Sequence, residues 1–116
     1  MSLTASKPKL VATQQWAIDL CRSVEYVCPK FGAHVALTGG TLYKDGPRKD
    51  CDILFYRIRQ WKLINKDGLF KALEEQCGFT WISGMGWCHK AVVLGIPVDC
   101  FFPEEDGSVN DYETAS

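Results

Sequence analysis

Three aspartates stand where a folding chain has little reason to put them. Asp50 and Asp52 are separated by one residue at the start of the apolar run Ile53-Leu-Phe-Tyr56. On a strand, residues i and i+2 share a face. Two anionic side chains held side by side repel, and burying either without a partner costs several kcal/mol. A divalent cation removes that repulsion, and Mg²⁺ (or Mn²⁺) prefers carboxylate oxygens while keeping several waters. Asp99 lies in Ile96-Pro-Val-Asp-Cys-Phe-Phe102, again with strand-forming apolar neighbours. If its strand runs beside that of Asp50 and Asp52, three carboxylates meet at one point. Such a cluster suits two metals ~3.5–4 Å apart and the clamping of attacking and leaving oxygens in phosphoryl transfer. Gly39-Gly40 precedes the acidic pair by about ten residues. Glycine permits positive φ and close approach of backbone to ligand, and successive backbone N–H groups can cradle phosphate.

The elements that must position these residues follow from periodicity and turn chemistry. Trp16, Leu20, Val24 and Val27 recur at helical spacing, which predicts a helix over 13–28 ended by Pro29. Residues 34–38 read as a short buried strand ended by Gly39-Gly40, and Asp45-Gly46-Pro47 marks a turn. The next strand spans 50–59. Asp67 is the expected cap of a second helix running to Cys77, with Leu69, Phe70, Leu73 and Cys77 inward and Gly78 closing it. Residues 79–82 form a third strand, followed by a loop over 83–86. Strands over 90–94 and 97–102 are joined by a two-residue turn at Gly95-Ile96. The order α-β-β-α-β-β-β predicts an α+β (mixed α/β) domain: a small mixed sheet of about five strands with helices packed on it. Residues 1–9 read as an extended lead-in, 10–103 as the domain and 104–116 as an acidic tail.

Composition narrows the classes. The 116 residues are 47% apolar and 23% charged, with 14 aromatic side chains, as in an ordinary globular domain and unlike a disordered chain. No apolar run approaches the ~20 residues of a membrane span, and no signal-peptide pattern opens the chain, so a cytoplasmic setting is expected. The six cysteines are spread evenly, mostly inside apolar runs and never as CxxC. They read as buried free thiols rather than a disulfide scaffold or a zinc site. Net charge is −1, but residues 104–116 hold five acids and no base, leaving 13 bases against nine acids elsewhere. Eight of those bases fall between Lys44 and Lys71. Most belong to a solvated face; collectively they could favour phosphate or nucleic acid. His34 and His89 read as structural residues. Trp81, Trp87 and Tyr56 read as core or rim aromatics, of a type that stacks on nucleobases.

Gly39-Gly40, Asp50-Cys51-Asp52-Ile53 and Val98-Asp99-Cys100 together resemble the pattern of the DNA polymerase β-like nucleotidyltransferase superfamily. The Leu42 and Asp45-Gly46-Pro47-Arg48-Lys49-Asp50 stretch is most similar to the Gly-Gly branch that includes CCA-adding enzymes. The resemblance covers about residues 10–102, the palm-like core. It implies that Asp50, Asp52 and Asp99 are the catalytic and metal-binding residues, with Asp99 helping to activate the attacking hydroxyl. It also implies that Gly39, Gly40 and Thr41 contact the triphosphate of a nucleotide. Where CCA-adding enzymes carry Arg-Asp, this chain has Tyr43-Lys44-Asp45, which assigns a phosphate role to Lys44. Family enzymes usually carry a second, helical domain, so the resemblance implies a partner protein supplying one, or a small acceptor. The expected reaction moves a nucleoside monophosphate from an NTP to a hydroxyl. The alternative is a non-catalytic nucleotide- or protein-binding module on the same fold, for example in a toxin–antitoxin or phage-defence system. A third reading treats the basic stretch as a nucleic-acid surface.

Overall fold

A computed structural model describes residues 11–40 and 48–105. The lead-in, Thr41, Lys44, the turn at 45–47 and the tail beyond Glu105 lie outside the described residues.

Helix α1 spans Gln14–Val27. Thr13 caps it, its side-chain oxygen accepting from the Trp16 N–H and satisfying one of the donors that a helix start leaves open. The buried stripe is Ala17, Leu20, Val24 and Val27, with Trp16 packed at its margin. Pro29 ends the helix as expected. Cys28–Phe31 tightens into a 3-10 turn that leads through Gly32 into strand β1, Ala33–Thr38. Strand β2 is Cys51–Arg57, shorter than the 50–59 expected, so Asp50 stands just before the strand. Helix α2, Lys66–Cys77, begins two residues earlier than a cap at Asp67 would set. Its cap is Asn65, whose side chain accepts from the Gly68 N–H; Asp67 sits in the first turn, where its charge suits the helix dipole.

Three strands complete the sheet: β3 (Phe79–Met85), β4 (Cys88–Val93) and β5 (Ile96–Phe101). Two expectations fail here. Most of the predicted loop over 83–86 is strand, since β3 continues past an irregularity between Trp81 and Ser83 to Met85 and leaves only Gly86-Trp87 to turn. The β4–β5 turn is Leu94-Gly95, not Gly95-Ile96, since Val93 pairs with Ile96. Both turn residues have positive φ, 51° and 79°, as a primed turn requires.

The sheet order is β1-β2-β5-β4-β3. Only β2 and β5 run parallel, joined by the crossover that contains α2; the other pairs are antiparallel. This is the α+β fold with a five-stranded mixed sheet that the element order predicts. Alternation divides the strands. Cys51, Ile53, Phe55, Val98 and Cys100 face the helices and join Leu20, Val24, Leu69 and Leu73 in one core. Phe55 and Phe102 stack at its centre, 4.9 Å apart and nearly parallel. Burying a side chain of this size contributes roughly 1.5–3 kcal/mol. The six cysteines are free thiols, with Cys28, Cys51 and Cys100 buried. Burial pushes the Cys28 and Cys100 thiols well up, and the Cys21 thiol to about 11, so these stay protonated and unreactive. Among the described residues no helix is long and apolar enough to cross a membrane.

Candidate functional site

The helix-free face of the sheet holds the acids. Register aligns one residue from each strand in a row: Thr38 opposite Asp52, Asp52 beside Asp99, Asp99 opposite Lys90, and Lys90 opposite Ser83. Parallel pairing of β2 with β5 is what sets Asp52 against Asp99, one strand spacing (~4.8 Å) apart. The two carboxylates that the sequence separates by 47 positions thus become neighbours. Asp50 precedes β2 and is exposed, near enough for its charge to act on Asp52.

The crowding has an electrostatic signature. Partial burial pushes the Asp52 carboxyl above the usual carboxylate range, and the charges of Asp50 and Asp99, with a hydrogen bond shared with Asp99, push it further. Lys90 offsets this in part. Lys90 Nζ donates to Asp99 Oδ1 at 3.3 Å, and the Lys90 side chain remains 59% exposed against 20% for that of Asp99.

Gly39 closes the other side. It follows β1 directly and adopts φ +72°, and a Cβ there would strike the Asp52 carboxylate. Only glycine lets the backbone turn this closely past the acid. At Gly40 a Cβ would lie 2.9 Å from Arg48 Cζ, so the guanidinium packs against the second glycine. The Arg48 backbone is pinned by a pair of hydrogen bonds with Ala12, at 2.8 and 2.7 Å. The glycines, Arg48 and the acids therefore adjoin one another. Thr41 and Lys44, the remaining expected nucleotide contacts, fall outside the described residues.

The donor set fits a hard divalent cation by type, being three carboxylates, one of which burial and its acidic neighbours push above the usual carboxylate range. Among the described residues, however, no three His, Cys, Asp or Glu side chains are gathered into a ready-made metal cluster. Lys90 supplies the one cation in contact with Asp99 among the contacts described.

Sequence reasoning gave Arg48 no role of its own, placing it in the basic stretch and in the segment that carries the resemblance, and missed Lys90. The hairpin register was the available signal. A turn at Gly95-Ile96 would set Val92 opposite Asp99, whereas the observed turn sets Lys90 there.

No family model and no curated protein matches this chain. A solved structure of Cid1, concerned with structural plasticity as the basis of its RNA terminal uridylyl transferase activity, aligns over 88% of this chain with a TM-score of 0.51 and 11% identity. The alignment covers 34% of that structure, so this chain spans about a third of its length. At that identity the likeness is one of fold.

Proposed function

We propose that this domain is a metal-dependent nucleotidyltransferase, moving a nucleoside monophosphate from an NTP to a hydroxyl acceptor. The observation that carries the reading is the pairing of Asp52 with Asp99 on adjacent parallel strands, with Asp50 acting on the same carboxyl and Gly39 pressed against it. The fold shared with part of a uridylyl transferase supports it.

Asp50, Asp52 and Asp99 would hold Mg²⁺ or Mn²⁺, which when bound supplies charge neutralisation for the triphosphate. Gly39 and Gly40 offer backbone N–H groups to the phosphates, with Thr41 and Lys44 as further contacts and the Arg48 guanidinium beside Gly40. Asp99 takes the proton of the acceptor hydroxyl. The hydroxyl oxygen then bonds to the α-phosphorus, and pyrophosphate leaves with the electron pair of the broken P–O bond. A partner protein supplying a second, helical domain would complete the grip on base or acceptor.

Calorimetric titration of ATP, GTP, CTP and UTP with Mg²⁺ or Mn²⁺ tests the reading. Wild type is expected to bind an NTP only with metal, and Asp52→Asn and Asp99→Asn to lose that binding while remaining folded. A folded wild type that takes up no NTP under any of these conditions overturns it.

A further inference from the structure

The helix side of the sheet carries a feature that the transfer reaction does not use. Among the described residues the two most exposed large apolar side chains are Tyr26 (83%) and Leu94 (76%). They border the two ends of one trough. A hollow of ≈ 360 Å³ is lined by Trp16, Leu20 and Leu94, another of ≈ 460 Å³ by Tyr26 and Val27, and both share Ser23 and Cys77. Trp16, Leu20, Ser23 and Val27 recur at helical spacing, so one wall of the trough is a single face of α1. Leu94 stands at the tip of the β4–β5 hairpin with φ 51°, a conformation that suits Asn or Gly and strains a leucine. A leucine both strained and exposed does not stabilise the monomer, and an open apolar surface of this kind marks a contact site.

The outer rim of the trough identifies the occupant. Gln15, Asp19, Arg22 and Tyr26 follow at i, i+4, i+7 and i+11 along α1, and all four are exposed. This stripe is complementary to itself. Laid antiparallel against its own copy about a point between Leu20 and Cys21, it sets Asp19 against Arg22 and Gln15 against Tyr26, twice over. The same two-fold axis carries each Leu94 from beside the Trp16–Leu20 half of its own helix to the Ser23–Val27 half of the other, over the second hollow. An unrelated helix would have to reproduce both matches; a second copy has them by symmetry.

We infer that α1, α2 and the β4–β5 hairpin form the interface of a two-fold dimer in which each Leu94 enters the trough of the other copy. The carboxylate faces of both copies stay open, so the inference does not depend on the transfer reaction.

Sedimentation velocity of the full chain, over a series of micromolar concentrations, tests it. Wild type is expected to pass from monomer to dimer as concentration rises. Leu94→Asp and Tyr26→Ala should each weaken the dimer on the order of tenfold or more, and Tyr26→Phe should retain it. Arg22→Asp should weaken it by setting like charges together, and combining it with Asp19→Arg should restore it, because the exchanged charges still meet. Leu94→Asn separates association from folding: its relieved strain should raise the melting temperature in dilute solution, below the association range, while dimerisation falls. Circular dichroism confirms that each variant is folded. A wild type that stays monomeric through the series overturns the inference. So does a dimer that Leu94→Asp and Tyr26→Ala leave intact, or one that Ile82→Lys at the exposed β3 edge breaks and they do not. Failure of the double charge exchange to rescue Arg22→Asp overturns the antiparallel two-fold.

Discussion

The two faces of β2 and β5 are built from the same strands and obey different physics. One carries Cys51, Ile53, Phe55, Val98 and Cys100, sealed under two helices. The other carries Asp52 and Asp99 side by side, with neither helix of the described residues over them. On the covered face each residue is chosen by volume and apolarity. On the open face, acids are kept together although partial burial and their mutual repulsion push the Asp52 carboxyl above the usual carboxylate range. The lesson is a division of labour: the buried face stabilises the sheet, and that stability tolerates an arrangement on the other face that repulsion alone would dismantle.

The division can be broken at neighbouring positions of one strand. Phe55→Ala removes a fully buried ring stacked on Phe102 and is expected to lower unfolding free energy by about 3–5 kcal/mol in urea titration. Tyr56→Ala, on the opposite face and 43% exposed, should cost less than about 1 kcal/mol. Equal losses would mean that the open face is also structural. Gly39→Ala joins the faces: it places a side chain at φ +72° against the Asp52 carboxylate, and is expected to cost about 1–2 kcal/mol and to abolish metal-dependent NTP binding. Leu94→Asn tests a position outside both faces. Leu94 is exposed with φ 51° in a primed turn, where Asn-Gly is preferred, so the variant should raise stability by up to about 1 kcal/mol in thermal melts.

The smallest effect belongs to Asp52 itself, because solvent screens a partly exposed carboxyl. Partial burial and the neighbouring acids push its carboxyl above the ordinary value it has in the unfolded chain, so the native state binds the proton more tightly. Stability is therefore greatest below the ordinary carboxylate value and falls as pH rises through the raised native one. Asp52→Asn is expected to melt higher than wild type at neutral pH, with the difference shrinking as pH falls below the carboxylate range. A difference independent of pH would place its origin outside this titration.

Local signals carried much of the fold. Helical spacing placed α1, alternation and turn residues placed the five strands, and Pro29 and Gly78 ended the helices where expected, because these effects act within a few residues of their cause. Even there the local rule misled where two signals competed. Asp67 is a good cap by type, but the Asn65 side chain reaches Gly68 and captures the start of α2. Gly95 marked the β4–β5 turn correctly, but which side of it the turn lies on depends on strand register.

The chemistry-bearing types were legible because acids inside apolar runs are costly wherever the runs fold. Their meeting was not. Asp52 and Asp99 become neighbours only through the parallel pairing of β2 with β5, and Lys90 reaches Asp99 only because the hairpin turns at Leu94-Gly95. Residue types and spacing thus declare which groups need a partner. The long-range pairing of strands, which no local preference encodes and a one-residue shift would reverse, selects the partner they get.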